Sequence, residues 1–115
     1  MSRDVRVYLA DILESISKIE QYTEKISRNE FTANAQVQDA VYRRLEVIGE
    51  AVKGIPEEVR RKYPKIAWKE IAGLRDVLIH GYFGVRPERI WKLVEHDLPD
   101  LKTQIALVSQ DFDKL

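Results

Sequence analysis

Cysteine is absent from the chain, which excludes disulfides and thiolate metal sites. A reducing compartment is compatible with that absence. Long apolar runs are missing too: the stretch IALV at 105–108 is far too short to cross a bilayer. Charges at Arg3, Asp4, Arg6 and Asp11 interrupt any signal-peptide pattern. The expectation is a soluble, cytoplasmic protein without membrane attachment. An excess of one charge is also lacking, because 19 Lys+Arg balance 19 Asp+Glu. A neutral chain is a poor non-specific binder of nucleic acid. Repeats, low-complexity tracts and linkers are not seen, so residues 1–115 are expected to form a single domain. That length can bury a core without staples.

The charge that is present is unevenly spread. Residues 43–92 carry 12 basic and 7 acidic groups, and both flanks lean acidic. A local basic surface in the middle is one reading, and ordinary solvated helix faces are the commoner one.

Apolar residues recur at helical spacing almost throughout. Val5, Leu9, Ile12, Ile16, Ile19, Thr23 and Ile26 alternate four and three apart. They predict a helix over about 3–28 with a heptad-like seam and Ser2 as N-cap. The polar segment 28–34 reads as a loop. A second helix is expected over about 34–53, with Val37, Val41, Leu45, Ile48 and Val52 inward and Gly54-Pro56 as its stop. Gly49 inside it costs about 1 kcal/mol relative to Ala, which suggests a close helix contact. Pro56, Glu57 and Glu58 open a short helix ending near Tyr63-Pro64. Another runs from about Ala67 to Ile79 or His80, broken by Gly81 and Gly84. A last helix starts at Pro87-Glu88, and Pro99 should kink or restart it. No alternating strand pattern persists. The expected class is all-α, an up-and-down four-helix bundle with one extra short helix.

The densest chemical signal is RDVLIHGY at 75–82. Arg75 offers a planar fork suited to phosphate. His80 can move a proton near neutral pH. Tyr82 adds a phenolic hydroxyl. Asp76 precedes His80 by four residues, about 40° away on a helix, where it could orient the imidazole. Arg75 and His80 lie about 140° apart on an ideal helix. The three side chains therefore converge only if the helix breaks at Gly81 or a second subunit completes the site. Taken alone, a His near a helix C-terminus is more commonly a capping residue.

This segment resembles the R-x4-H-x-Y motif of the HepT-like toxins, a branch of the HEPN ribonucleases. Arg75, Asp76 and His80 match the wider HEPN signature, and Tyr82 completes the HepT form. The resemblance extends to RRLEVIGEAV at 43–52, IAWKEIAGLRDVLIHGYFGV at 66–85 and PERIWKLVEHDLPDLK at 87–102. It implies a bundle of HEPN type and a metal-independent endoribonuclease that needs no cofactor. A ribose 2′-hydroxyl would attack the adjacent phosphate, leaving a cyclic phosphate and a 5′-hydroxyl. Arg75 would stabilise the phosphate and His80 would do the acid–base work. Asp76 and Tyr82 would support them. One chain supplies one motif His, so the resemblance implies a homodimer with a shared site. It also implies a minimal nucleotidyltransferase antitoxin that transfers AMP onto Tyr82. The competing expectation is a non-catalytic HEPN module, a scaffold or AMP acceptor for that partner.

Other candidates carry less. His96, between Glu95 and Asp97, lacks further ligands for a metal and reads as a surface or capping group. Trp68 and Trp91 could stack bases but fit core packing better. Glu46 and Glu50, four apart, read as polar-face groups or partners of a buried Arg. The run Arg60-Arg61-Lys62 reads as solvated, with contact to RNA outside the cleft or to an acidic antitoxin as the other reading.

Overall fold

A computed structural model describes residues 4–80 and 85–114; the side chain of His80 lies outside the described residues, as do 81–84. The described residues are all-α, and no strand occurs among them. The helices are α1 (Val5–Thr23), α2 (Arg28–Thr32), α3 (Ala35–Gly54), α4 (Glu57–Lys62), α5 (Trp68–His80), α6 (Pro87–Lys92) and α7 (Leu98–Asp113). A π-helical turn, Leu93–Asp97, joins the last two without a loop. No helix among the described residues is long and apolar enough to cross a membrane.

The seam of α1 forms as its spacing requires. Leu9, Ile12, Ile16 and Ile19 have no exposed surface. Buried Thr23 closes the helix by donating its hydroxyl to the Ile19 carbonyl at 2.8 Å. Two boundaries differ from expectation. Asp4 caps α1, its carboxylate accepting the Arg6 amide at 2.8 Å, while Ser2 lies outside the described residues. The chain also leaves α1 at Thr23 rather than near residue 28. The expected loop at 28–34 contains α2 instead. Ser27 and Glu30 form a capping box there, each side chain serving the other's backbone amide.

Asn34 caps α3, and Gln38 donates to the Phe31 and Thr32 carbonyls at the end of α2. Val41, Leu45, Ile48 and Val52 face the core. Gly54 does not stop α3 through a left-handed cap, since no described glycine has positive φ. Its bare Cα instead makes room for the Tyr8 ring, which occupies the place a Cβ would take. That contact joins the start of α1 to the end of α3, so the two helices run antiparallel. Lys102 at the start of α7 reaches Glu20 near the end of α1 at 2.9 Å, making α7 antiparallel to α1 as well.

Trp68 is a core residue. It is 7% exposed, and its indole N–H is shared between the Arg60 and Tyr63 carbonyls at 3.2 and 3.0 Å. Trp91 packs its ring on Phe31 of α2, centroids 5.4 Å apart. Arg60 is not simply solvated: its Nε donates to the Ile55 carbonyl at 2.9 Å, just past α3. Arg61 pairs with Glu57 on the surface of α4. Pro99 sits in the first turn of α7 and restarts the helix, as expected. A proline there has no amide to donate, and its ring crowds the carbonyl four residues back. The chain widens ahead of it, and the Leu98 amide reaches back five residues to the Leu93 carbonyl.

Candidate active site

Arg75 and Asp76 lie on α5, and the reason they meet α3 is Gly49. A Cβ at residue 49 would stand 2.9 Å from the Arg75 amide nitrogen, 3.0 Å from Arg75 Cβ and 3.1 Å from the Ile71 carbonyl oxygen. Only a residue without a side chain allows that approach. The suspicion that Gly49 serves a close helix contact is thus met, and the contact falls under the motif arginine itself.

At this spacing the next polar residues of α3 reach α5. Glu50 Oε2 forms an ion pair with Arg75 Nε at 2.6 Å. Lys53 Nζ donates to Asp76 Oδ1 at 2.9 Å. Arg75 Nη1 reaches the same Asp76 oxygen at 3.3 Å. The result is a quartet of alternating charge, Glu50–Arg75–Asp76–Lys53. The hydrogen bond from Lys53 holds the Asp76 carboxyl below its ordinary pKa; desolvation opposes this, and the charges of Lys53 and Arg75 with the Arg75 hydrogen bond reinforce it. Arg75 keeps 37% of its side chain exposed, so its outer edge remains open to an incoming anion.

His80 is the last residue of α5. Its side chain and Tyr82 lie outside the described residues, and so does the expected convergence of Arg75, His80 and Tyr82 at the Gly81 break. Asp76, expected to orient His80, is placed on Lys53 and Arg75. Glu50 partners an Arg, as one of its two readings had it, although that Arg is partly exposed rather than buried. Glu46 pairs with Arg43 at 3.5 Å. His96 lies at the surface beside Glu95.

Lys53 escaped the sequence reading. Its partner lies 23 residues away, and no local pattern announces such a pair. The available signal was indirect: a helical glycine followed by Glu50 and Lys53 at i, i+1 and i+4 marks one edge of a close contact. Glu50 and Lys53 also line a groove of about 430 Å3 between α1 and α3, with Tyr8, Asp11 and Gly54 among its other walls. The charged quartet thus borders a concave surface.

An all-α bundle with this motif at the end of α5 is what the ribonuclease family described as HepT-like would present. That family's model matches residues 12–108, and the chain belongs to it. It is 47% identical over 114 residues to a Methanocaldococcus jannaschii protein named "Gamma-glutamylcyclotransferase and putative RNase MJ0434", covering 99% of this chain and 51% of that one. It is 44% identical over 106 residues to "Putative RNase MJ1380" of the same organism, covering 92% and 97% of the two chains. With "Probable ribonuclease HepT" of Thermococcus cleftensis it shares 47% identity over 102 residues, 89% and 93% of the respective chains. The chain thus spans about half the length of the first of these relatives and nearly all of the other two. No solved structure matches it significantly.

Proposed function

We propose that residues 1–115 act as one HEPN domain, a metal-independent endoribonuclease. We further propose that it is the toxin of a pair with a minimal nucleotidyltransferase. The observation that carries this reading is Arg75. In a chain of the HepT-like family, the motif arginine stands partly exposed five residues before His80, with its guanidinium fixed on two carboxylates. The RNase names of three relatives support the same substrate class.

The chemistry follows from the groups. A base removes the proton of a ribose 2′-hydroxyl, and the oxygen attacks the adjacent phosphorus. The P–O5′ bond breaks as an acid protonates the leaving oxygen. The products are a 2′,3′-cyclic phosphate and a 5′-hydroxyl. Arg75 stabilises the crowded phosphate, and His80 moves the protons. Two proton-transfer roles and one motif His per chain favour a two-fold dimer around one cleft. Val77 and Ile79, 56% and 42% exposed on the same helix, offer apolar surface for that association. Asp76 keeps Arg75 in place, and Tyr82 positions RNA at the rim.

Tyr82 is also the proposed acceptor of AMP. Its hydroxyl oxygen attacks the α-phosphate of ATP on the partner enzyme, pyrophosphate leaves, and the phenolic proton passes to solvent. The added phosphate then competes with RNA for Arg75.

Purified protein incubated with RNA and a chelator tests the core of this. Cleavage with cyclic-phosphate and 5′-hydroxyl ends is expected, and His80→Ala should slow it about 10²–10⁴-fold. Undiminished cutting by His80→Ala would refute the assignment, and loss of cutting with the chelator would refute metal independence. A chain that accepts AMP yet never cuts RNA would be the non-catalytic module.

A further inference from the structure

We propose that Glu50 is the positioning residue of Arg75, selecting which edge of the guanidinium meets the RNA phosphate. The proposal deepens the ribonuclease reading and rests on it. A guanidinium carries five N–H donors: one on Nε and two on each Nη. It can grip a phosphate side-on through Nε and Nη2, or end-on through Nη1 and Nη2. Glu50 Oε2 stands beside Nε as an ion pair at 2.6 Å, and Asp76 accepts one hydrogen of Nη1 at 3.3 Å. The Glu50 carboxylate beside Nε repels a phosphate from the side-on edge, while neither hydrogen of Nη2 is used by a described hydrogen bond. Side-on binding is disfavoured relative to approach at the Nη2 end.

The clamp follows from the packing that precedes it in sequence. Gly49 brings α3 against the Arg75 backbone, and Glu50 is the next residue on α3. A flexible arginine would otherwise sample many rotamers, so holding Nε removes freedom that a phosphate would have to restrict on binding. Lys53 has the complementary task. Asp76 adjoins Arg75 in sequence and would neutralise it; the ammonium at 2.9 Å draws that carboxylate toward α3.

Charge gives the inference a signature that simple scaffolding lacks. Glu50 and Asp76 are carboxylates beside a site for an anion, so Glu50 opposes ground-state binding while it aligns the fork. Removing its charge should strengthen binding and weaken turnover together. Glu50 is 63% exposed, so its replacement leaves the core untouched.

The experiment measures single-turnover RNA cleavage by wild type, Glu50→Gln and Glu50→Ala at matched folded fraction. It is paired with the affinity of each for an uncleavable all-2′-deoxy oligonucleotide. The 15N resonance of the Arg75 Nε–H group reports the clamp directly. For Glu50→Ala the cleavage rate constant should fall about tenfold or more, since small misplacements of a reacting group cost that much. Oligonucleotide affinity should rise about two- to fivefold, the range of an exposed charge pair. Glu50→Gln keeps the size of the side chain without its charge and should lie between, and the Arg75 Nε–H resonance should move in both variants. An unchanged rate overturns the proposal, as does a rate loss without any gain in affinity. A wild-type chain that leaves RNA intact overturns the ribonuclease reading and the proposal with it. An active wild type with indifferent Glu50 variants overturns the proposal alone.

Discussion

Helices α1 and α5 are both rich in apolar residues, yet they use them differently. In α1 one stripe sinks completely, with Leu9, Ile12, Ile16 and Ile19 at zero exposure. In α5 only Trp68 and Leu78 are buried among the described side chains, while Val77 and Ile79 stay open to solvent. A cleft of about 320 Å3 also separates α5 from the π-turn and α7, walled by Ile71, Leu74, Leu93, Leu98 and Leu101. The first helix is specified by the core it builds. The other packs mainly on α3, at the Gly49 crossing, and keeps apolar surface to spare.

Four measurements sharpen or break that contrast. The largest effect is expected on function in α5: Arg75→Ala should slow RNA cleavage about 10²–10⁴-fold while the urea midpoint barely moves, and Arg75→Lys should recover only part, because Lys lacks the fork. A large loss of stability in Arg75→Ala would make the residue structural instead. The next effect falls on α1. Ile16→Ala should cost about 2–5 kcal/mol in equilibrium unfolding, against about 0.5 kcal/mol or less for Val77→Ser. Equal costs would erase the distinction between the helices.

The third pair are glycines with opposite signs. Gly49→Ala forces a methyl against the Arg75 backbone, which cannot give way as a side chain can, and should destabilise by about 1–3 kcal/mol despite the better helix former. Gly73 on α5 has nothing within 4 Å of its would-be Cβ. Gly73→Ala should therefore stabilise the chain by up to about 1 kcal/mol, read as a raised urea midpoint. A loss there, growing with protein concentration, would place Gly73 inside a subunit contact. The smallest effect is on acid stability. Lys53 and Arg75 hold the Asp76 carboxyl below its ordinary 3.8, so its contribution is present above that value and lost as pH falls through the depressed one. Comparing urea midpoints near pH 7 and near pH 3, Asp76→Asn should lose part of the acid sensitivity of wild type. Identical slopes would leave the Lys53 contact without energetic weight.

Much of this was legible from the chain itself. The stripes of α1 and α3 follow from spacing alone, because burial repeats with the helical period. The break at Thr23 was missed because Ile26 continues the same spacing, although S-x-x-E at 27–30 already spelled a capping box. The π-turn leaves no mark in composition beyond the proline that follows it. At the candidate site, RDVLIHGY named Arg75 and Asp76 without their partners. Glu50 lies 25 positions before Arg75, and only the helix crossing at Gly49 brings the two within reach.

The widened turn at Leu93–Asp97 has a consequence for tolerance to insertion and deletion. A π-turn amounts to one extra residue spliced into an α-helix. Each residue of a regular helix turns it by about 100°, and the widened turn absorbs that angle, so the helix after the splice keeps its facing. Ile90 before the turn and Leu101, Ile105 and Val108 after it all reach the same core. Removing a single residue from 93–97 should therefore leave a regular helix with the α7 stripe still on the core, whereas a residue added within Leu98–Asp113 has no wide turn to absorb it and would swing the later part of that stripe away.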